Sequence, residues 1–415
     1  MPLARHPPGG SAYGLRPYGL TIFMHHASQS AHNTQAFSML NKLSRILSIA
    51  LALSMFSACQ SEEQEDNNGT PSAPINLYGE LDPDLKAALP LNAVTSLNDI
   101  GLWPSDLAIF GDYAYVVDSG NNAITRIGLN DLKVEKNYVD FGENASPYAI
   151  YANSEAIYVA LQGNGTIARV AHDNPSEITT IANGLIAPTA VCANQGDTYI
   201  ADSEYDYANP QNTKGSIHLK TTQGEATLPS TSPNPAFIET ISLNGKPYLL
   251  SVNAGVIDFI TQTPPPKSCI DLWPLSDIST LAQPENSVCA TNASLGRITV
   301  LNDTLYTGDA MTPTLYAVPT SKLLEPDATF DTQMLLDTPK GTLTPIAIDN
   351  KALAVIDFTS DTITWLKDNR PLRFYLTAPA ENPVKGPIDI VYDSPRNQIL
   401  ILNSLSETID VLKVK

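Results

Sequence analysis

YVVDSGNNAITRI, residues 115–127, decides the fold. Two short runs of β-branched and aromatic residues flank an Asp-Ser-Gly-Asn-Asn turn, the pattern of a β-hairpin and not of a helix. The second run, AITRI (123–127), recurs as TIARV (166–170), SIHLK (216–220), VIDFI (256–260), TLYAV (314–318), TITWL (362–366) and TIDVL (408–412). Before each copy stands a strand of strong β propensity: YAYVVD (113–118), AIYVAL (156–161), DTYIAD (197–202), PYLLS (247–251), TLYTGD (304–309), ALAVID (352–357) and ILILN (399–403). A third strand precedes most of these, opened by Pro104, Pro147, Pro188, Pro235, Pro345 and Pro387; the fifth copy, GRITVLN, lacks the proline.

From Ile124 to Ile409 the repeat averages about 48 residues, the period of four-stranded meander blades. The reading is therefore all-β: a seven-bladed β-propeller of four-stranded antiparallel blades over residues 76–415, with a Pro-rich insertion at about 263–291 between blades four and five. An open ring would leave two adhesive edges. Because Lys415 follows directly on the third strand of the seventh copy, LNAVTSLN (91–98) is expected to supply that blade's outer strand and close the ring.

Composition agrees with this reading. The 415 residues are 43% hydrophobic and only 16% charged, with 32 prolines against 23 glycines, so the core has ample apolar material and the surface is rich in turns. A net charge of −19 repels phosphate backbones, and no basic patch offsets it. Nucleic acid is excluded as a partner.

The N-terminal part reads as processing signal. MLNKLSRILSIALALSMFSAC begins at Met39, carries Lys42 and Arg45, and continues in a 13-residue apolar run, Ile46 to Ala58, too short to span a bilayer. Residues 39–58 are read as a signal peptide and 1–38, with four of the six histidines, as upstream translated sequence. Phe56-Ser57-Ala58-Cys59 resembles the lipobox of bacterial lipoproteins, with Phe56 where Leu is usual; the resemblance implies lipidation of Cys59. Residues 59–75 are an acidic, polar tether. The leader contains four basic residues and no acid, so the chain from Cys59 carries 20 basic against 43 acidic residues, a net −23. These features imply a cell-envelope location, with Gln60 favouring the outer membrane.

The runs YVVDSGNNAITRI and TYIADSEYD resemble NHL-type repeats, and LILNSLSETIDVLKV resembles the YVTN-type repeats of bacterial surface propellers. That resemblance covers about residues 91–415 and implies a fold with no particular activity. Some propellers of this kind are enzymes, among them calcium-dependent lactonases resembling gluconolactonase and streptogramin-type lyases that use a His. The chain from Cys59 retains only His172 and His218, within or just after strands. No G-x-S-x-G, H-E-x-x-H, Walker or dinucleotide fingerprint is present.

Aligning the second strands puts Asp118, Leu161, Asp202, Ser251, Asp309, Asp357 and Asn403 in one column, at the strand end leading into the third strand. Such a column is either an electronegative rim for a cation or basic ligand, or a set of Asx turns in which each carboxylate binds nearby amides. The longest loop after it, DSEYDYANPQNTKG (202–215), offers Asp202, Glu204 and Asp206 as hard oxygen donors, or is a solvated insertion. Cys192 lies in an inner strand as a buried thiol, while Cys269 and Cys289 are a candidate disulfide worth roughly 3 kcal/mol. The function expected is a non-catalytic binding scaffold for an envelope protein, a glycan or a small ligand. The alternative is a calcium-dependent hydrolase or lyase on the same fold.

Overall fold

The computed structural model describes residues 74–77, 83–204, 212–222, 224–230, 233–257, 263–276, 278–335, 342–367, 370–376 and 385–415, with backbone alone for Val94 and 332–335. Residues 1–38, the signal peptide, Cys59, the tether up to residue 73 and Asp206 lie outside the described residues. All described residues belong to the unit Asp66–Lys415.

Seven antiparallel sheets follow one another along the chain. Blade one comprises Pro104–Phe110, Tyr113–Asp118, Ala123–Gly128 and Val134–Asp140; blade two Pro147–Ala152, Ile157–Leu161, Thr166–Val170 and Ile178–Ala182. Blade three runs from Pro188–Asn194 through Asp197–Glu204 and Lys214–Thr221 to Gly224–Pro229, and blade four from Pro235–Leu243 through Lys246–Asn253 and Lys267–Pro274 to Asn286–Thr291. Blade five holds Leu295–Leu301, Thr304–Asp309, Thr314–Pro319 and Asp331–Leu335; blade six Leu343–Ile348, Ala352–Asp357, Thr362–Lys367 and Arg370–Tyr375. Blade seven joins Pro387–Asp393, Gln398–Asn403 and Thr408–Val414 to the N-terminal strand Leu91–Leu97, with Leu91 opposite Val414 and Leu97 opposite Ile409. A short strand, Ile75–Asn76, adds in parallel to the outer edge of blade six.

Because alternate residues of a strand point to opposite faces, each blade buries one set of side chains against each neighbour. Val116 packs towards blade seven, whereas Tyr115 and Val117 pack towards blade two. Among the described residues the core accordingly divides into seven clusters, each shared by two adjacent blades.

Three sequence alignments are corrected. The third strand of blade four is Lys267–Pro274, paired with Lys246–Asn253, and not 256–260; the segment read as an insertion at 263–291 therefore supplies that blade's third and fourth strands. VIDFI shares the composition of a third strand, but KSCIDLWP carries the buried Ile270, Leu272 and Trp273 that fill the interfaces on either side. With this register Pro235 faces Asn253, so Asn253 and not Ser251 occupies the column. Blade six opens at Leu343, opposite Asp357, two residues before Pro345. Cys269 and Cys289 stand directly opposite each other on the third and fourth strands of blade four and form a disulfide.

Candidate functional site

In six blades the ladder shifts register immediately after the opening residue of the inner strand; in blade one the shift lies between Pro104 and Leu107, and in blade five between Leu295 and Ile298. Proline suits that first position because its missing N–H takes no part in a ladder, and a bulge redirects the next side chains. Asp106 and Arg297 sit in these bulges, and Asp389 at the exit of the equivalent one in blade seven. Arg297 of blade five pairs with Asp106 of blade one at 3.4 Å and with Asp389 of blade seven. None of these blades adjoins blade five, so the guanidinium crosses the central channel.

The same carboxylates also cap the inner strands. Asp389 accepts the Leu107 amide at 2.9 Å and Asp106 the Ile150 amide at 2.8 Å, each from the next blade. Thr299 accepts the Ala347 amide at 3.0 Å in the same way. These bonds satisfy backbone groups along an edge that has no further strand beside it. Burial pushes Asp106 above the ordinary carboxylate range, opposed by Arg297 and by the Ile150 and Leu107 amides. The Arg297 guanidinium also lies 5.4 Å from the Phe237 ring centroid.

Glu239, further along the inner strand of blade four, is half-buried and makes no hydrogen bond or ion pair among the described residues. Burial raises it from 4.5 to about 7, with Arg297 pulling the other way. A carboxyl whose folded value is raised costs nothing below pH 4.5, where both states are protonated, and its full penalty above pH 7, where the folded state must hold the charge. Glu239→Gln is therefore expected to stabilise the protein at pH 8 by on the order of 2 kcal/mol and to leave it unchanged at pH 4. Denaturant titrations at the two pH values check this, and equal effects at both would refute it.

The acidic column of the sequence is placed differently. Asp118 is fully buried and accepts the amides of Leu102 at 2.8 Å and Asn121 at 3.2 Å, with the Asn121 side chain at 2.9 Å. Asp202 accepts the Ile186 amide at 3.0 Å and the Ala187 amide at 2.7 Å, and pairs with His218 at 3.3 Å. Burial raises its carboxyl, but the bonds from His218, Ile186 and Ala187 outweigh that and bring it below the usual range. Asp309 accepts from Met311 and Thr312, at 2.9 and 2.8 Å, and Asp357 from Thr359 and Ser360, at 2.9 and 2.8 Å. Asn403 donates to Asp410 at 3.0 Å, while its side-chain oxygen Oδ1 is buried with no partner among the described residues. Glu204 is exposed at the end of its strand, opposite Lys214.

Asp118, Asp309 and Asp357 thus bond their own turns, and Asp118, Asp202 and Asp309 also bond the loop entering the same blade. Among the described residues no group of three or more His, Cys, Asp or Glu side chains converges so that it could hold a metal ion. His218 has Ser216 at 3.0 Å and Asp202 at 3.3 Å on Nε2, and the Thr227 hydroxyl at 3.3 Å on Nδ1. His172 bonds the Asn153 carbonyl at 2.6 Å and stacks on Phe110, 4.5 Å between centroids. The channel set of Asp106, Glu239, Arg297 and Asp389 was not anticipated; its signal is a charged residue near the start of PSDLAIF, GRITVLN and PIDIVY and inside PAFIET, where the equivalent strands are apolar.

No protein-family model and no curated protein matches the sequence. Solved structures do match in fold. Virginiamycin B lyase from Staphylococcus aureus superposes with a TM-score of 0.57 at 15% identity, over 78% of this chain and 100% of that one. Kuenenia stuttgartiensis hydrazine synthase gives 0.60 at 14% identity, over 77% and 97%. The WD40 β-propeller domain of Doa1 gives 0.54 at 9% identity, over 78% and 97%. These likenesses define the chain as a β-propeller and carry nothing about activity.

Proposed function

We propose that this chain is a bacterial cell-envelope lipoprotein, anchored in the outer membrane through Cys59, whose NHL- or YVTN-type blades form a non-catalytic binding scaffold. One observation carries the scaffold reading. The two channel carboxylates that face a positive charge, Asp106 and Asp389, both engage Arg297 of the chain itself. The Cys269–Cys289 disulfide supports a location outside the cytoplasm, where such bonds persist. Rigid loops on a propeller face are suited to presenting side chains to a partner, whether protein, glycan or small ligand.

Two measurements test the reading. In a Gram-negative host the chain should fractionate with outer membranes, and Cys59→Ala should release it in soluble form; membrane association of the variant would remove the anchor from the proposal. The purified protein should turn over no member of a lactone panel, with calcium or with chelator. Turnover that chelator abolishes would replace the scaffold reading with the calcium-dependent hydrolase or lyase.

A further inference from the structure

Large apolar side chains project from one face of three successive blades. Leu102 is 36% exposed, Tyr148 39% and Ile186 51%, and all three lie in or beside the loops that enter the inner strands of blades one, two and three. Leu102 and Ile186 hold the same place, two residues before Pro104 and Pro188. Surface apolar residues are ordinary when scattered. Here Leu102 and Ile186 stand at matching positions, with Tyr148 just inside the strand of the blade between them, and the scaffold fixes all three.

Asp118 and Asp202 do the fixing. Their buried carboxylates accept the backbone amides of Leu102 and Ile186, at 2.8 and 3.0 Å. The Leu102 carbonyl accepts the Gly120 amide at 2.7 Å, and a Cβ at Gly120 would come within 2.5 Å of Leu102 Cγ, so the glycine leaves the space the leucine occupies. Tyr148 is held through its carbonyl, which accepts the Ser105 hydroxyl at 2.7 Å. Next to Leu102, Trp103 adopts φ +52°, a left-handed conformation that an aromatic residue takes only where its surroundings impose it. The loops' polar groups are thus tied down inside the fold while their apolar side chains point outward.

Charge defines what fits. The exposed ionic residues of this face over blades one to three include Asp140, Glu143 and Glu204. Two basic residues stand beside these loops: Lys214, opposite Glu204, and Lys136, which pairs with Asp99 of the loop entering blade one. An acidic border around apolar side chains is complementary to a basic segment and repels anionic lipid surfaces. We infer that the entering-loop face of blades one to three, presenting Leu102, Trp103, Tyr148 and Ile186, is the docking surface for a protein segment in which Lys or Arg flanks apolar side chains. This deepens the scaffold reading and rests on it.

A random 12-residue peptide library displayed on phage, panned against the purified protein, tests the surface. Enriched peptides should combine Lys or Arg with Leu, Phe or Trp. A synthetic copy should bind at least about tenfold more weakly to Ile186→Asp and to Leu102→Asp, as expected for a central apolar contact, and should weaken as salt is raised. Ile186 is half exposed, so its variant keeps the fold, which an unchanged melting temperature verifies. Absence of enriched peptides, enrichment of acidic ones, or equal binding to the variants overturns the proposal, as does an oligosaccharide whose binding is lost in the same variants. Failed peptide binding with no lactone turnover removes this surface alone, whereas chelator-sensitive turnover removes the scaffold reading itself.

Discussion

Deleting residues 76–99 is expected to abolish cooperative folding or to lower the melting temperature by well over 10 °C, on the order of the whole stability of a domain. The deleted stretch contains the strand Leu91–Leu97 that completes blade seven, so its loss exposes the full hydrogen-bonding edge of Thr408–Val414. It also removes Leu77, Leu89 and Leu91 from the core shared by blades six and seven. At roughly 1.5–3 kcal/mol for each buried side chain, these three alone approach half of a typical folding free energy. Polar bonds fail with them. Ser96 donates to the fully buried Asp410, whose two oxygens also accept from Lys385 at 2.8 Å. Thermal unfolding of the truncated protein is the measurement, and an unchanged melting temperature would show that the ring does not need this strand.

Arg297→Ala should cost about 2–4 kcal/mol, the next largest effect. Removing the guanidinium leaves Asp106 and Asp389 facing the channel without their counter-charge, and the loss spreads over blades one, five and seven at once. The range lies below that of a fully buried pair because Arg297 remains 24% exposed and channel water screens the charge. Two further variants separate charge from packing. Arg297→Lys should retain much of the stability, and adding Asp106→Asn with Asp389→Asn to the alanine variant should restore part of it, since the uncompensated charge is then gone. Acidification should help Arg297→Ala more than the parent, because both carboxyls can then neutralise. A triple variant no more stable than Arg297→Ala, by urea titration, would show that electrostatics is not what the arginine contributes.

The repeat was legible because its carriers are local. Alternating apolar residues, opening prolines and Asp-containing turns sit within a few positions of one another, so AITRI and its relatives could be aligned by eye and the closing strand inferred from the gap they left. Blade four failed for the same reason. VIDFI is locally as good a strand as KSCIDLWP, and only pairing with Lys246–Asn253 distinguishes them. The channel set was hidden for a different reason. Asp106, Glu239, Arg297 and Asp389 come from four blades, and nothing in any one blade shows that an arginine almost 200 residues away meets Asp106 across the axis. The aspartate column was seen in sequence, but its partners, the Leu102 and Ile186 amides, lie 16 residues upstream, where no side-chain pattern marks them.

The composite blade also dictates an order of events. Its outer strand is made early and its other three strands last, with more than 300 residues between Ser96 and Asp410. Such a pairing has a very long loop to close, and the entropy of closing it is recovered only when all seven interfaces can form together. Six blades can assemble while the chain is still emerging, but the first would wait with an unpaired flank. The last strand, Thr408–Val414, then acts as a completion check, since a chain without it has nothing to seat Leu91–Leu97. Slow, late-closing topologies expose apolar surface in the interim, so this protein is expected to lean on holding chaperones until its ring closes, more than its final stability would suggest.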